Sequence, residues 1–166
     1  MGCRTWPVTS EVELAACYDE TFDELFRYAS HLTGDRGRTE DLVAEVYLEL
    51  VRASRSDEVT SIGMGWLITV ARRRFIDRLR LSEREQRRLR LVKPRGEEPV
   101  PAVAADGSGE LLASLSDRER AAVVLRYVED LSLAEVARVM ETTVRAVESL
   151  LARARNRVRR SEVRDA

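Results

Sequence analysis

LSDRERAAVVLRYVEDLSLAEVARVMETTVRAVESLLARARNRVRR, Leu115 to Arg160, is the stretch that decides how this chain is read. Ser116 with Glu119, and Ser132 with Glu135, have the spacing of capping boxes, in which each side chain satisfies a free N–H of the other's backbone. They predict helices over about 117–128 and 133–140. Thr142 or Thr143 then caps a third helix that runs to about Arg160. The last two helices and their short turn form a helix-turn-helix. On the final helix Val144, Val147, Leu151, Ala154 and Val158 share one side, while Arg145, Ser149, Arg153, Asn156 and Arg160 lie about 140° away at helical spacing.

Working outward, the upstream residues are helical too. Ser10 with Glu13 makes another capping box. It opens a helix through about Thr33, with Leu14, Cys17, Tyr18, Leu25, Tyr28 and Leu32 able to line a buried stripe and Gly34 ending it. Thr39 is expected to cap a second helix to about Ala53, burying Leu42, Val46 and Leu50 or their neighbours. Its first turn holds Glu40 and Asp41, where the helix dipole favours acids. A loop with Gly63 and Gly65 leads to a third helix from about Trp66 to Leu81 or beyond. No segment shows the alternation of a strand. Residues 93–109 change character, with Pro94, Pro99, Pro101 and three glycines, which is the composition of a linker. The expected fold is all-α: two small helical domains, 10–92 and 110–162, joined by a flexible linker over 93–109, the C-terminal one a helix-turn-helix.

The net charge of −1 conceals segregation. Residues 1–65 carry six Arg against 13 acids, and residues 66–95 carry 11 basic residues against three acids. Residues 96–144 are acidic again, and residues 145–166 hold seven Arg against three acids. Two basic blocks alternate with two acidic ones, so a polyanion would be held at two places and repelled elsewhere. All but one of the 28 basic residues are Arg, Lys93 being the exception. Arginine-favouring codons of a GC-rich genome account for most of that excess, but not for its clustering.

On the third helix Ile68, Ala71, Phe75 and Leu79 form one side. Trp66, Thr69, Arg73, Asp77 and Arg80 lie nearly opposite, with Arg72, Arg74 and Arg78 on the flanks. A solvated face is the ordinary reason for a charged stripe; five arginines within nine residues suggest phosphate binding with some base reading. Trp66 suits packing as well as stacking on a base. In a helix-turn-helix the first residues of the second helix meet base edges. Arg145, Ala146 and Ser149 are therefore the candidates for reading sequence, and Arg153, Asn156 and Arg160 for phosphate contact.

Other classes find little support. Cys3 and Cys17 have no metal-like spacing and His31 is the only histidine, so neither metal nor cofactor is expected. Two unclustered cysteines are expected to be inert. There is no glycine-rich phosphate loop and no cysteine–histidine pair from which to build an enzyme's site. No apolar run approaches the length of a membrane span and no signal-peptide core precedes the first helix, which points to the cytoplasm.

Taken together, Thr33-Gly34-Asp35, Glu40-Asp41-Leu42-Val43-Ala44-Glu45-Val46-Tyr47, Trp66-Leu67-Ile68-Thr69-Val70-Ala71-Arg72 and Asp77-Arg78-Leu79-Arg80 form an ordered series. It continues in Leu115-Ser116-Asp117-Arg118-Glu119-Arg120, Leu125-Arg126-Tyr127, Leu131-Ser132-Leu133-Ala134-Glu135-Val136-Ala137 and Val147-Glu148-Ser149-Leu150-Leu151-Ala152-Arg153-Ala154-Arg155. In this order the chain resembles, over roughly residues 20–160, a bacterial sigma factor of the extracytoplasmic-function (ECF) group, the small members of the sigma-70 family.

The resemblance implies a dissociable subunit of RNA polymerase that recognises promoter DNA. Asp41, Leu42, Glu45, Val46 and Glu49 would contact core polymerase. Trp66, Arg72, Arg73, Asp77, Arg78 and Arg80 would form the −10 side, and Thr143, Arg145, Ala146, Glu148, Ser149, Arg153 and Asn156 the −35 side. Core polymerase would fix the two domains on DNA sites roughly 70 Å apart, two helical turns. The free protein would be a monomer, and the resemblance implies an anti-sigma factor as a partner. With Phe75 inward and Trp66 the only nearby aromatic, strand opening would depend on polymerase and on a narrow promoter set. Four departures from the family pattern stand out: Ala44 for Gln, Arg73 for Asn, Glu141 for the turn Gly, and Glu148 with Leu150 where cations are common. The rival reading is a helix-turn-helix regulator that binds a palindrome as a homodimer without polymerase.

Overall fold

A computed structural model describes residues 4–56, 59–90, 112 and 114–164. The expected linker, 93–109, lies outside the described residues. Helix α1 spans Glu11–Thr33, α2 Arg36–Arg55, α3 Met64–Arg90, α4 Asp117–Val123, α5 Leu133–Val139 and α6 Val144–Arg164. Among the described residues the fold is helical apart from one small antiparallel pair, β1 (Thr5–Pro7) with β2 (Ser61–Gly63), in which Trp6 faces Ile62. This sheet departs from the strand-free expectation, since three-residue strands are too short to display alternation.

All three capping boxes form: Ser10 with Glu13, Ser116 with Glu119, Ser132 with Glu135. Gly34 closes α1 in the left-handed conformation, φ 63°, and its N–H donates to Ser30. The cap of α2 is Asp35, which accepts from the Arg38 N–H, and not Thr39. Thr39 is buried one turn into α2, where its hydroxyl meets the Thr33 hydroxyl at 2.6 Å and the Asp35 carbonyl at 2.7 Å. That hydroxyl is used to splice α1 to α2, so the helix begins a turn earlier.

In the N-terminal half α1, α2 and α3 bury Leu25, Leu32, Leu42, Val46, Leu50, Leu67, Ala71 and Phe75. In the C-terminal half α4, α5 and α6 bury Ala121, Leu125, Val136, Val147 and Ala154. The buried stripe of α6 is rotated from the expected one: Val144 is 41% exposed and Leu150 only 4%. Leu150 is therefore a core residue, which explains why no cation stands there. The two halves also meet, and their buried residues form one continuous apolar cluster.

Helix α4 does not end conventionally. Residues Val124–Val128 form a π-turn, with the Glu129 N–H donating to the Val124 carbonyl. Such turns insert one residue beyond the α-helical count and tend to occur at functional sites. Asp130 follows with φ 53°, and Glu141, in the turn between α5 and α6, has φ 46°. Glu141, which stands where the family pattern has the turn Gly, is thus in the left-handed conformation, at a cost of about 1–2 kcal/mol for a residue with a Cβ.

Candidate nucleic-acid interface

Helix α3 is long and cationic, yet its arginines from Arg72 to Arg80 are engaged. Arg73 and Arg74 both reach the Glu49 carboxylate, Arg74 with Nη2 at 2.5 Å. Arg78 pairs with Glu45 at 2.6 Å. The acidic face of α2 therefore neutralises one flank of α3. Partial burial works to raise the Glu49 pKa, but hydrogen bonds from Arg74 and Arg73 and their charges outweigh it and hold the carboxyl below its ordinary value.

The other flank is met by the C-terminal half. Arg72 pairs with Glu129, whose second oxygen accepts from the Tyr28 hydroxyl at 2.6 Å. Burial, helped by the Glu129 charge and hydrogen bond, pushes the Tyr28 phenol well above its usual range, so it stays a donor. Arg80 binds Glu141 at 3.0 Å and the Val139 carbonyl at 3.1 Å, with Asp77 further off at 3.4 Å. Trp66 is half-buried against the core at the start of the helix, so packing is its observed role. Asp77 and Arg73 are exposed.

Further contacts join the halves at the corner between α1 and α2 and along α3. Arg38 and Asp117 form a two-pronged pair at 3.1 and 2.8 Å, and Arg118 pairs with Glu83. Arg120, 5% exposed, donates to the carbonyls of Thr33, Leu112 and Leu115. It lies so close to Gly34 that a Cβ there would be 2.5 Å from its guanidinium carbon. Desolvation by burial lowers the Arg120 pKa, partly offset by Asp117, although at any ordinary pH the group remains a cation.

Helix α6 is arranged differently. Thr143, not Thr142, caps it, accepting from the Ala146 N–H at 3.1 Å. Arg145, Glu148, Ser149, Arg153 and Asn156 are exposed and Ala146 is half-buried. Arg145 and Glu148 make no ion pair among the described residues. Ser149 returns its hydroxyl proton to the Arg145 carbonyl at 2.9 Å, leaving its lone pairs outward. Arg153 and Arg157 lean toward the buried Glu119, at 3.9 and 3.1 Å. One carboxylate thus serves the α4 cap and anchors the middle of α6.

The residues assigned to polymerase contact divide. Asp41 is exposed, whereas Glu45 and Glu49 are tied to α3. Leu42 and Val46 are both fully buried in the core of the free chain. The apolar groups that α2 does present are Leu48, 54% exposed, and Tyr47 at the rim. Leu48 stands off the buried stripe of Leu42, Val43, Val46 and Leu50, and that offset is the signal by which the sequence could have revealed it. Tyr47 belongs to a tilted aromatic row with Tyr18, Phe22 and Phe26, and burial pushes its phenol up to about 12. Cys17 is a buried free thiol raised by burial, and Cys3 lies outside the described residues. Among the described residues no cluster of His, Cys, Asp and Glu is suited to a metal, and no helix is long and apolar enough to cross a membrane.

Two family models match this arrangement in order. Residues 17–85 match sigma-70 region 2, and residues 109–158 match sigma-70 region 4. The ECF RNA polymerase sigma factor SigK of Mycobacterium sp. (strain KMS) is 30% identical over 145 residues, covering 81% of this chain and 75% of the relative. This chain is an ECF sigma factor of the sigma-70 family. SigK of Mycobacterium tuberculosis (strain ATCC 25618 / H37Rv) is 28% identical over 149 residues, 84% of this chain and 80% of the relative. Among solved structures, the sigma factor RpoE from Bartonella quintana, in complex with the anti-sigma factor NepR, shares the fold. Its TM-score is 0.52 at 22% identity, covering 89% of this chain and 95% of that one. In the ECF frame, α2 and α3 fall in region 2 and α4 to α6 in region 4.

Proposed function

We propose that this ECF sigma factor directs core RNA polymerase to a restricted set of promoters and assists initiation there. The observation that carries the reading is the outward face of α6, where Arg145 and Ser149 are exposed at the start of a helix-turn-helix recognition helix capped by Thr143. Arg145, Ala146 and Ser149 meet base edges of the −35 element. Arg153 and Asn156 meet phosphates, and Glu148 lies beside them as a charge neighbour. Helix α3 serves the −10 element through Trp66, Arg72, Arg73, Asp77, Arg78 and Arg80. Asp41 and Leu48 meet polymerase directly, while Glu45 and Glu49 hold α3 in register with that surface. An anti-sigma factor is the natural antagonist, as the NepR complex of the Bartonella relative suggests, and the site of action is the cytoplasm.

Run-off transcription with core polymerase on a fragment library of the source genome tests this reading. Discrete transcripts that need both this chain and core polymerase are expected. A stable homodimer that footprints a palindrome alone, with no polymerase-dependent transcript, would overturn it.

A further inference from the structure

The longest uncharged run of this chain lies where the ion pairs of α3 stop. Residues 59–71, Val59 to Ala71, carry no charge in a sequence that is 34% charged. They hold β2 and the first turns of α3. Among the described residues every ion pair of α3 is made at Arg72 or beyond, so its head is fixed by other means. Leu67 and Val70 anchor it from within, while Gly65 and Thr69 are exposed and Trp66 is half-buried. Such a surface suits the uncharged faces of bases, and the arginines behind it suit the backbone of the same strand.

The first residues of a domain are poorly ordered unless tied down, and two paired three-residue strands are marginal by themselves. Here β1 is tied down repeatedly. Thr5 lies opposite Gly63, Trp6 opposite Ile62 and Pro7 opposite Ser61. The Val8 N–H extends the pairing by donating to the Thr60 carbonyl at 3.0 Å. Val8 and Ile62 are buried, and Trp6 packs against the core. The Trp6 indole N–H donates to Glu20 of α1 at 2.9 Å, and Arg4 pairs with the same carboxylate while lying 5.7 Å from the indole ring. Just past Val8, the N–H groups of Thr9 and Ser10 donate to Glu13 at the opening of α1.

Burying Val8 and Ile62 is enough to close the edge of the core. The contacts of Trp6 and Arg4 to Glu20 do more, since they fix where along α1 the strand sits. That position is handed on without slack. Strand β2 ends at Gly63 and α3 begins at Met64, with no residue between them, so a shift of β1 is a shift of the head of α3.

We propose that β1 is a positioning strand for promoter opening: through Trp6 and Val8 it holds β2, and with it the uncharged head of α3, in place to receive unpaired bases of the −10 element. Trp6 and Val8 touch no nucleic acid and act only through β2. A head that is already ordered loses less freedom when the bases arrive. The inference rests on the reading of α3 as the −10 helix.

The test uses holoenzyme assembled from core polymerase and the full chain, on a fragment that the wild-type chain transcribes in the run-off assay. Fluorescence of 2-aminopurine within the −10 element reports opening, and gel retention in the cold reports duplex binding before opening. Trp6→Ala should slow opening about tenfold and leave duplex retention unchanged. Trp6→Phe, which keeps a ring on the core, should recover most of that loss. A second variant adds Thr5→Cys, Gly63→Cys and Cys3→Ser to Trp6→Ala, so that a disulfide can replace the lost anchor; a Cβ at residue 63 lies 3.9 Å from the Thr5 Cγ2. Its oxidised form should open DNA faster than its reduced form, a comparison made within one folded polypeptide. Equal opening by the wild type and Trp6→Ala, duplex retention that falls in proportion to opening, or no gain on oxidation overturns the proposal. A wild-type chain that opens no fragment would sink the −10 reading and this inference with it. Variants that open as fast as an active wild type sink this inference alone.

Discussion

Helices α3 and α6 look alike as strings of arginine and unlike as surfaces. In α3 all five arginines from Arg72 to Arg80 are ion-paired, three to α2 and two to the C-terminal half. In α6 the leading Arg145 is exposed and makes no ion pair among the described residues, and Arg153 and Arg157 share one buried carboxylate. Formal charge along a sequence counts groups; the field that a polyanion meets depends on what already neutralises them. A near-neutral chain can therefore keep one cationic face ready and hold another in reserve.

The contrast is most exposed to attack at Arg145. Arg145→Ala should lower polymerase-dependent transcription about 10- to 100-fold, the equivalent of the 1–3 kcal/mol of a good base contact, with no change in melting temperature. A loss of stability instead would mean that α6 is no freer than α3. The seam comes next. Gly34→Ala places a Cβ against Arg120 in a left-handed backbone and should cost about 1–2 kcal/mol in denaturant unfolding. Arg120→Ala combined with it should recover part of the loss if the clash is the cause. Thr143→Ala should cost about 1 kcal/mol by freeing the cap of α6, and should weaken duplex binding because the reading residues lie in that first turn.

The smallest effect concerns acid. The Glu49 carboxyl lies below its ordinary pKa in the folded chain, so its stabilisation is complete above about pH 4.5 and fades as pH falls through the folded value. Glu49→Gln should flatten the acid limb of a stability–pH curve and free Arg73 and Arg74. An unchanged acid limb would show that the α2–α3 pairs contribute nothing measurable, making α3 a charged surface after all.

What was legible in the sequence was what is local. Each capping box spans four residues, and all three form because both partners are presented by the same turn of chain. The Asp35 cap escaped because Thr39 is an equally good capping residue by type; its hydroxyl is claimed by Thr33, a contact that only the packed α1–α2 corner creates. The helix-turn-helix and the outward side of α6 followed from periodicity, although the buried stripe is rotated by Leu150. The partners of α3 were not legible. Glu45 and Glu49 lie on another helix, and Glu129 is 57 residues from Arg72 in sequence, so no spacing rule links them. Leu42 and Val46 stand in the motif that the resemblance links to polymerase contact and are buried in the free chain; a motif does not say which of its members face inward.

The π-turn at Val124–Val128 has one consequence beyond its local geometry. A π-turn is one residue wider than an α-turn, and removing a residue from it would swing Glu129 by about 100° around the axis, away from Tyr28 and Arg72. Deleting one apolar residue of that segment should thus break the Arg72–Glu129 pair without altering the charge of the chain, so its length matters to that contact as much as its composition.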